Sequence, residues 1–218
     1  MSLDCIRRQL ISVAPWATVL ACAGMAVTDV TLAVLTPDYD AVSETSSQLM
    51  SPDARYSALA RVVLGLYAVL LVPFALALQS RLQHGSRSMR AGRVLVVAGM
   101  WIHIVASAIG ALALNDSDDR VIGSVSANEV HDMAAMIMFI GAFAVIVGAI
   151  TALRSSQIAS QGTLYLVLAI FLVVGPLFAL ELWTETNGIL ERVLAGAFMV
   201  WMSVTALSWR GDRSTASR

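Results

Sequence analysis

Asp29, Arg61, His103, His131, Asp132, Glu181, Glu191 and Arg192 stand within, or at the ends of, stretches that are otherwise apolar. Side chains of these types transfer protons, hold charged groups or bind metals, and each is costly to place in a lipid phase. They therefore turn towards a bundle interior or a water-filled cavity, and they mark candidate functional positions. Apolar surroundings disfavour the charged form of a carboxyl, which then keeps a proton to give away. Asp29 and Glu181 are the candidates for such a general acid, with His131, Asp132 and His103 as further groups for proton transfer. Arg61 or Arg192 would hold an anionic head group. In one concrete version, the proton-initiated cyclisation of an isoprenoid, the faces of Trp101, Trp183, Trp201 and Tyr67 would stabilise a carbocation. Hydrolysis by a metal on His103, His131 and Asp132 is the weaker version. The chain has no His-x-x-x-His or His-Glu-x-x-His spacing, so neither a metal nor a cofactor is expected.

The elements that must position these groups are six apolar stretches, each long enough to cross a bilayer, which takes about 20 residues. They lie near Ile11–Leu35, Ser57–Leu78, Val94–Leu114, Val130–Leu153, Leu164–Trp183 and Leu190–Leu207. The expected fold is all-α: a single membrane domain, residues 1–218, forming a six-helix transmembrane bundle with short polar connections. The composition agrees. Of the 218 residues 58% are hydrophobic and 13% charged, and the mean hydropathy is +0.76. A soluble domain carries about twice that charged fraction. A net charge of −1 without any basic block argues against a nucleic-acid partner. Dinucleotide, P-loop and nucleophile-elbow motifs are absent.

All fourteen cationic residues are arginine, and their distribution is uneven. The N-terminus, second and fourth connections and C-terminus hold ten arginines against Asp4 and Asp212, a balance of +8. The opposite side holds Arg55, Arg61, Arg120 and Arg192 against thirteen acids, a balance of −9. The positive-inside rule then places both termini in the cytoplasm, for a multi-pass protein of the inner (plasma) membrane. Arg7 and Arg8 before an apolar run, with Ala21-Cys22-Ala23 within it, have some features of a cleaved signal. The apolar run continues to Leu35, which favours an uncleaved first span. Cys5 and Cys22 fall on a tail and within a span, so no disulfide is expected.

In this orientation every ionisable span residue except His103 lies in the outer half of the bundle. Asp29 is about six residues, or ~9 Å, from the outer end of the first helix. Gly99, His103, Ser107 and Gly110 share one face of the third helix, a small-and-polar stripe suited to close helix contact. Glu181 and Glu185 share a face of the fifth, below which Pro176 would kink it. Arg61 precedes Gly65 as Arg192 precedes Gly196, in the same Arg-Val-x-x-Gly pattern, so both arginines would point towards one pocket. Ser51-Pro52-Asp53 reads as a helix start, Ser126 with Glu129 as a capping box, and Asn187-Gly188 as a turn. Asp116-x-Asp118-Asp119 reads as a solvated acidic turn, and the polar run Ser43–Gln48 could fold over a cavity mouth.

Three patches, in order and spacing across nearly the whole chain, resemble the six-helix prokaryotic membrane family catalogued as domain of unknown function 998. They are Pro37-Asp38-Tyr39-Asp40 with Ser47-Gln48-Leu49, His131-Asp132-Met133-Ala134-Ala135, and Gly188-Ile189-Leu190-Glu191-Arg192 with Trp201. Gln48 and Met50 depart from the acidic residue and glycine that the resemblance leads one to expect. The resemblance implies the six-helix fold and a shared site containing Ser47, His131, Glu191 and Arg192. It implies no reaction.

Three functional readings compete. In the first, the chain is a membrane-embedded enzyme using general-acid chemistry on a lipid-phase or isoprenoid-like substrate, with membrane lipids and an amphiphilic small molecule as partners. In the second it is a small proton-coupled transporter, for which a homodimer would supply the polar path that the apolar cytoplasmic halves lack. In the third the buried charges only pair with one another and fix helix register, without catalysis. An occluded, lipid-accessible cavity favours the first, a continuous polar path the second, and complete pairing without a cavity the third.

Overall fold

The computed structural model describes residues 3–51, 54–82, 90–113, 127–152 and 161–215. Among them six helices are long and apolar enough to cross a membrane. They are α1 (Leu3–Leu35), α2 (Ser57–Arg81), α3 (Arg90–Ala113), α4 (Ala127–Ala152), α5 (Gln161–Ala179) and α6 (Asn187–Thr215). Helices sequential in the chain are neighbours in space, and α1 closes on α6. The bundle thus satisfies its backbone within each helix, as a lipid environment requires. Pro52, Asp53, Ser126 and the Asp116–Asp119 turn lie outside the described residues.

The helix boundaries differ from the sequence expectation in two informative places. The fifth apolar stretch was expected to run helically to Trp183, but α5 ends at Ala179. The chain then closes a Schellman turn: the Leu182 amide donates to the Leu177 carbonyl at 3.1 Å and the Glu181 amide to Phe178 at 3.2 Å. Glu181 takes the left-handed position at φ 48°, where glycine is usual. Asn187-Gly188, expected as a turn between helices, instead opens α6, because a short 3-10 turn at Thr184–Thr186 leads straight into it.

The tightest seam joins α3 and α4. A Cβ built on Gly99 would come within 2.7 Å of the Gly141 carbonyl, and one on Gly141 within 2.8 Å of the Gly99 carbonyl and the His103 amide. Gly92 and Gly148 repeat this contact seven residues away on each helix, the Gly148 Cβ falling 2.7 Å from the Gly92 carbonyl. Small residues spaced by a heptad let the two backbones touch, which drives helix association where lipid removes the hydrophobic incentive. The polar stripe of α3 lies along this seam. Beneath it, Phe74, Phe198, Trp201 and Met202 form a fully buried layer, with Trp201 stacked on Phe198 at 5.8 Å and edge-on to Phe74 at 6.2 Å.

Candidate functional site: a polar corner on an apolar cavity

The connection between α1 and α2 is folded by its own side chains. Asp40 accepts from the Val42 amide and the Ser43 hydroxyl, both at 2.9 Å, and these bonds hold its carboxyl below the usual carboxylate range. Thr45 and Gln48 make a capping box that starts a 3-10 turn over Ser46–Met50. Arginines from two helices then clamp the segment. Arg61 of α2 donates from Nε to the Met50 carbonyl at 3.1 Å. Arg192 of α6 donates from Nη1 to the carbonyls of Ala41 at 2.9 Å and Glu44 at 3.0 Å. The repeated Arg-Val-x-x-Gly pattern thus fixes both ends of one loop, and only Arg192 reaches the cavity below it.

Arg192 is the hub of the corner. Its Nε and Nη2 grip both oxygens of Asp29 at 2.8 and 3.2 Å, a bidentate pair only 21% and 13% exposed. Nη2 also donates to the Tyr39 hydroxyl at 2.6 Å, and Nη1 to the Gly188 carbonyl at 3.1 Å. The Tyr39 hydroxyl in turn donates a hydrogen bond shared between the Glu44 and Thr45 carbonyls, at 2.9 and 2.8 Å. Burial pushes the Tyr39 hydroxyl above its ordinary value, partly offset by Arg192, so it remains a donor at neutral pH. Glu191, beside Arg192 and buried, accepts from the Ser46 amide at 2.6 Å.

Two histidines sit on the α3–α4 seam in matching ways. The Nδ1 of His103 lies 3.0 Å from the Met138 carbonyl of α4, and the Nδ1 of His131 lies 3.4 Å from the Gly110 carbonyl of α3. Each pair is offset from the other by seven residues on both helices. A carbonyl accepts only, so each Nδ1 carries the proton and each Nε2 is an acceptor in the neutral ring. His103 spends that acceptor on the Tyr67 hydroxyl at 2.9 Å. His131 Nε2 is buried with no hydrogen-bond partner among the described residues.

These groups border a cavity of about 270 Å³. Asp29, Ser46, Ser47, His131, Glu191 and Arg192 line its polar end, while Met25, Leu64, Met138, Phe139 and Met199 line the apolar remainder. The same five apolar residues border a smaller space of about 50 Å³ that reaches Tyr67 and His103. No α5 residue contributes. Val30, also in the lining, is 62% exposed, so the cavity reaches the outer surface of α1.

This architecture agrees with the family comparison. The model for the family described as "Protein of unknown function (DUF998)" matches residues 19–208. The chain belongs to the DUF998 family. Comparison with curated proteins and with solved structures gives no match.

In this DUF998 member the three sequence patches converge. Tyr39 and Ser47, His131, and Glu191 with Arg192 all reach the polar corner. Asp29 joins them from α1. Other expected residues lie elsewhere. Glu181 is exposed on the Schellman turn and Trp183 is 59% exposed beside it. Asp132 is exposed at the start of α4, while Trp101 packs half-buried against the core. Arg61 borders the loop, and Trp201 belongs to the buried aromatic layer. Asp29, expected as a general acid, and Arg192, expected to hold an anionic head group, are paired with each other, and Arg192 also binds the loop. Tyr39, Ser46, Met138 and Phe139 were not singled out as site residues. Tyr39 and Ser46 could have been found, since one stands inside the first patch and the other adjoins it.

The position of Glu181 yields a direct expectation. Glu181→Gly relieves a left-handed conformation that costs a residue with a Cβ about 1 kcal/mol. The variant is expected to unfold slightly later than wild type in a thermal scan in detergent. A marked loss of stability would mean that the Glu181 carboxylate holds the turn itself.

Proposed function

We propose that this protein is a membrane-embedded enzyme that takes a lipid-phase amphiphile sideways into the cavity and carries out proton transfer at its head group. The observation that carries this reading is the cavity itself, with a polar corner, apolar walls and an opening at Val30 within a span. The apolar chain of the substrate lies along Met25, Leu64, Met138, Phe139 and Met199, and the head meets Glu191 and His131. These two are the proton-transfer groups. The His131 Nε2 lone pair is unspent, and the Glu191 carboxyl borders the same cavity. Asp29, Tyr39 and Arg192 position the corner and the loop above it. Isoprenoid cyclisation would need aromatic faces around the chain, and Trp101, Trp183 and Trp201 are elsewhere, so the reading stops at proton transfer.

Phe198, part of the buried aromatic layer, borders the smaller space next to the cavity, and this apolar wall favours an occluded site over a transport path. The charge balance of +8 against −9 favours termini in the cytoplasm of a plasma-membrane protein. In that orientation the corner lies towards the outer leaflet and one membrane domain carries the whole site. Native mass spectrometry of the wild type beside Gly196→Phe tests the reading. Gly196 lines the cavity and a Cβ built there meets no atom within 4 Å, so a side chain can start from this position and is expected to occupy cavity space. Wild type is expected to retain an amphiphile, and the filled variant to lose it.

A further inference from the structure

Resting on the proposed lipid-phase site, we infer that its ligand carries a head group that donates hydrogen bonds and is not anionic, an amine or an alcohol rather than a phosphate or carboxylate. The sequence alone suggests the reverse, because two arginines near the outer end would suit an anion. The geometry removes that option. Arg61 lies outside the cavity lining and binds the Met50 carbonyl. The Arg192 donors are directed at Asp29, Tyr39 and the carbonyls of Ala41, Glu44 and Gly188. An anion would have to take donors from that network.

What the corner offers instead is acceptors. Glu191 is a carboxyl group with its Oε2 bonded to the Ser46 amide, and Asp29 presents two carboxylate oxygens that have further lone-pair sites. His131, 6% exposed, carries its proton on Nδ1 towards Gly110 and leaves Nε2 as an unfilled acceptor. The polar end also carries serine hydroxyls. Ser107 donates its hydroxyl to the His103 carbonyl at 2.8 Å, the Ser47 hydroxyl is paired with Thr45 at 2.7 Å with either oxygen able to donate, and Ser46 also borders the cavity. Hydroxyls both donate and accept, so the preference between heads is set by Glu191, Asp29 and His131. A phosphate or carboxylate brought here meets two acids and a lone pair. An ammonium or hydroxyl meets complementary partners, and a site built of acceptors rejects a head that cannot donate.

The test is competition in nanodiscs, with retention on the full-length protein read by native mass spectrometry. The probes share a twelve-carbon chain and differ in head: dodecylamine, dodecanol, dodecyl phosphate and dodecanoate. Hydrogen bonds to charged groups are each worth about 1.5–3 kcal/mol, so the amine or alcohol should be retained at least about tenfold better than either anion. The relative retention of amine and alcohol tells which donor head is preferred. His131→Phe keeps a ring and removes the acceptor, and Glu191→Gln turns one carboxyl oxygen into an amide donor. Each should bring the preference below about threefold. Equal or better retention of the anions overturns the head-group inference while leaving the cavity as a lipid site. Failure to retain any probe overturns both.

Discussion

Arg192→Leu is expected to release the α1–α2 connection and to lower the thermal stability of the whole bundle. The substitution strands Asp29 and removes the donors that serve the Tyr39 hydroxyl and the Ala41, Glu44 and Gly188 carbonyls. Breaking a fully buried ion pair costs about 3–5 kcal/mol, and the partial exposure here brings the expected loss to about 3 kcal/mol or less. Arg192→Lys should recover little of it, since one ammonium cannot reproduce a planar fork with five donors. Thermal unfolding in detergent measures the loss, and hydrogen exchange locates it, with faster exchange expected at the amides of Ser46, Gln48 and Ser51. Replacing Asp29 by leucine as well removes the stranded charge. The double variant should therefore be more stable than Arg192→Leu alone. If single and double variants unfold together, the pair does not organise the corner.

The second large effect is expected on the α3–α4 seam. Gly141→Val places a branched side chain where even one Cβ falls 2.8 Å from the Gly99 carbonyl and the His103 amide. These are backbone atoms within helices, so the neighbour cannot swing aside and the helices must part. Overpacking typically costs about 1–3 kcal/mol, and this site belongs at or beyond the upper end of that range. Parting the helices also pulls Met138 from His103 and Gly110 from His131, so amphiphile retention should fall together with stability. Gly175→Ala is the control. Its Cβ meets nothing within 4 Å, and it should be neutral or slightly stabilising. Equal unfolding temperatures for Gly141→Val and wild type would refute the close seam.

The contrast between these two sites explains what could be read from the residues alone. Six spans follow from the length of each apolar run, because a bilayer sets that length whatever the neighbouring helices do. The seam was half visible: Gly99, His103, Ser107 and Gly110 lie on one helical face by spacing, but Gly141 and Gly148 become partners only when α4 packs against them. Ser47, His131, Glu191 and Arg192 were visible as a group through the family resemblance. Their division of labour was not. Arg192 and Asp29 look like substrate contacts in a sequence, since hydrogen-bond saturation depends on where the backbone carbonyls of a folded loop fall. Glu181 misled for a local reason. It sits in a run apolar enough to continue a helix, but the Schellman turn after Ala179 carries it outward.

In the proposed function, the cavity between α1, α4 and α6 holds a membrane amphiphile with its head at Glu191 and His131. The most direct measurement is the native mass spectrum of wild-type protein released from nanodiscs, set beside that of folded Gly196→Phe. A bound amphiphile of defined mass is expected on the wild type and none on the filled variant at equal thermal stability. The same bound mass on both proteins, or no specific mass on the wild type, would contradict it.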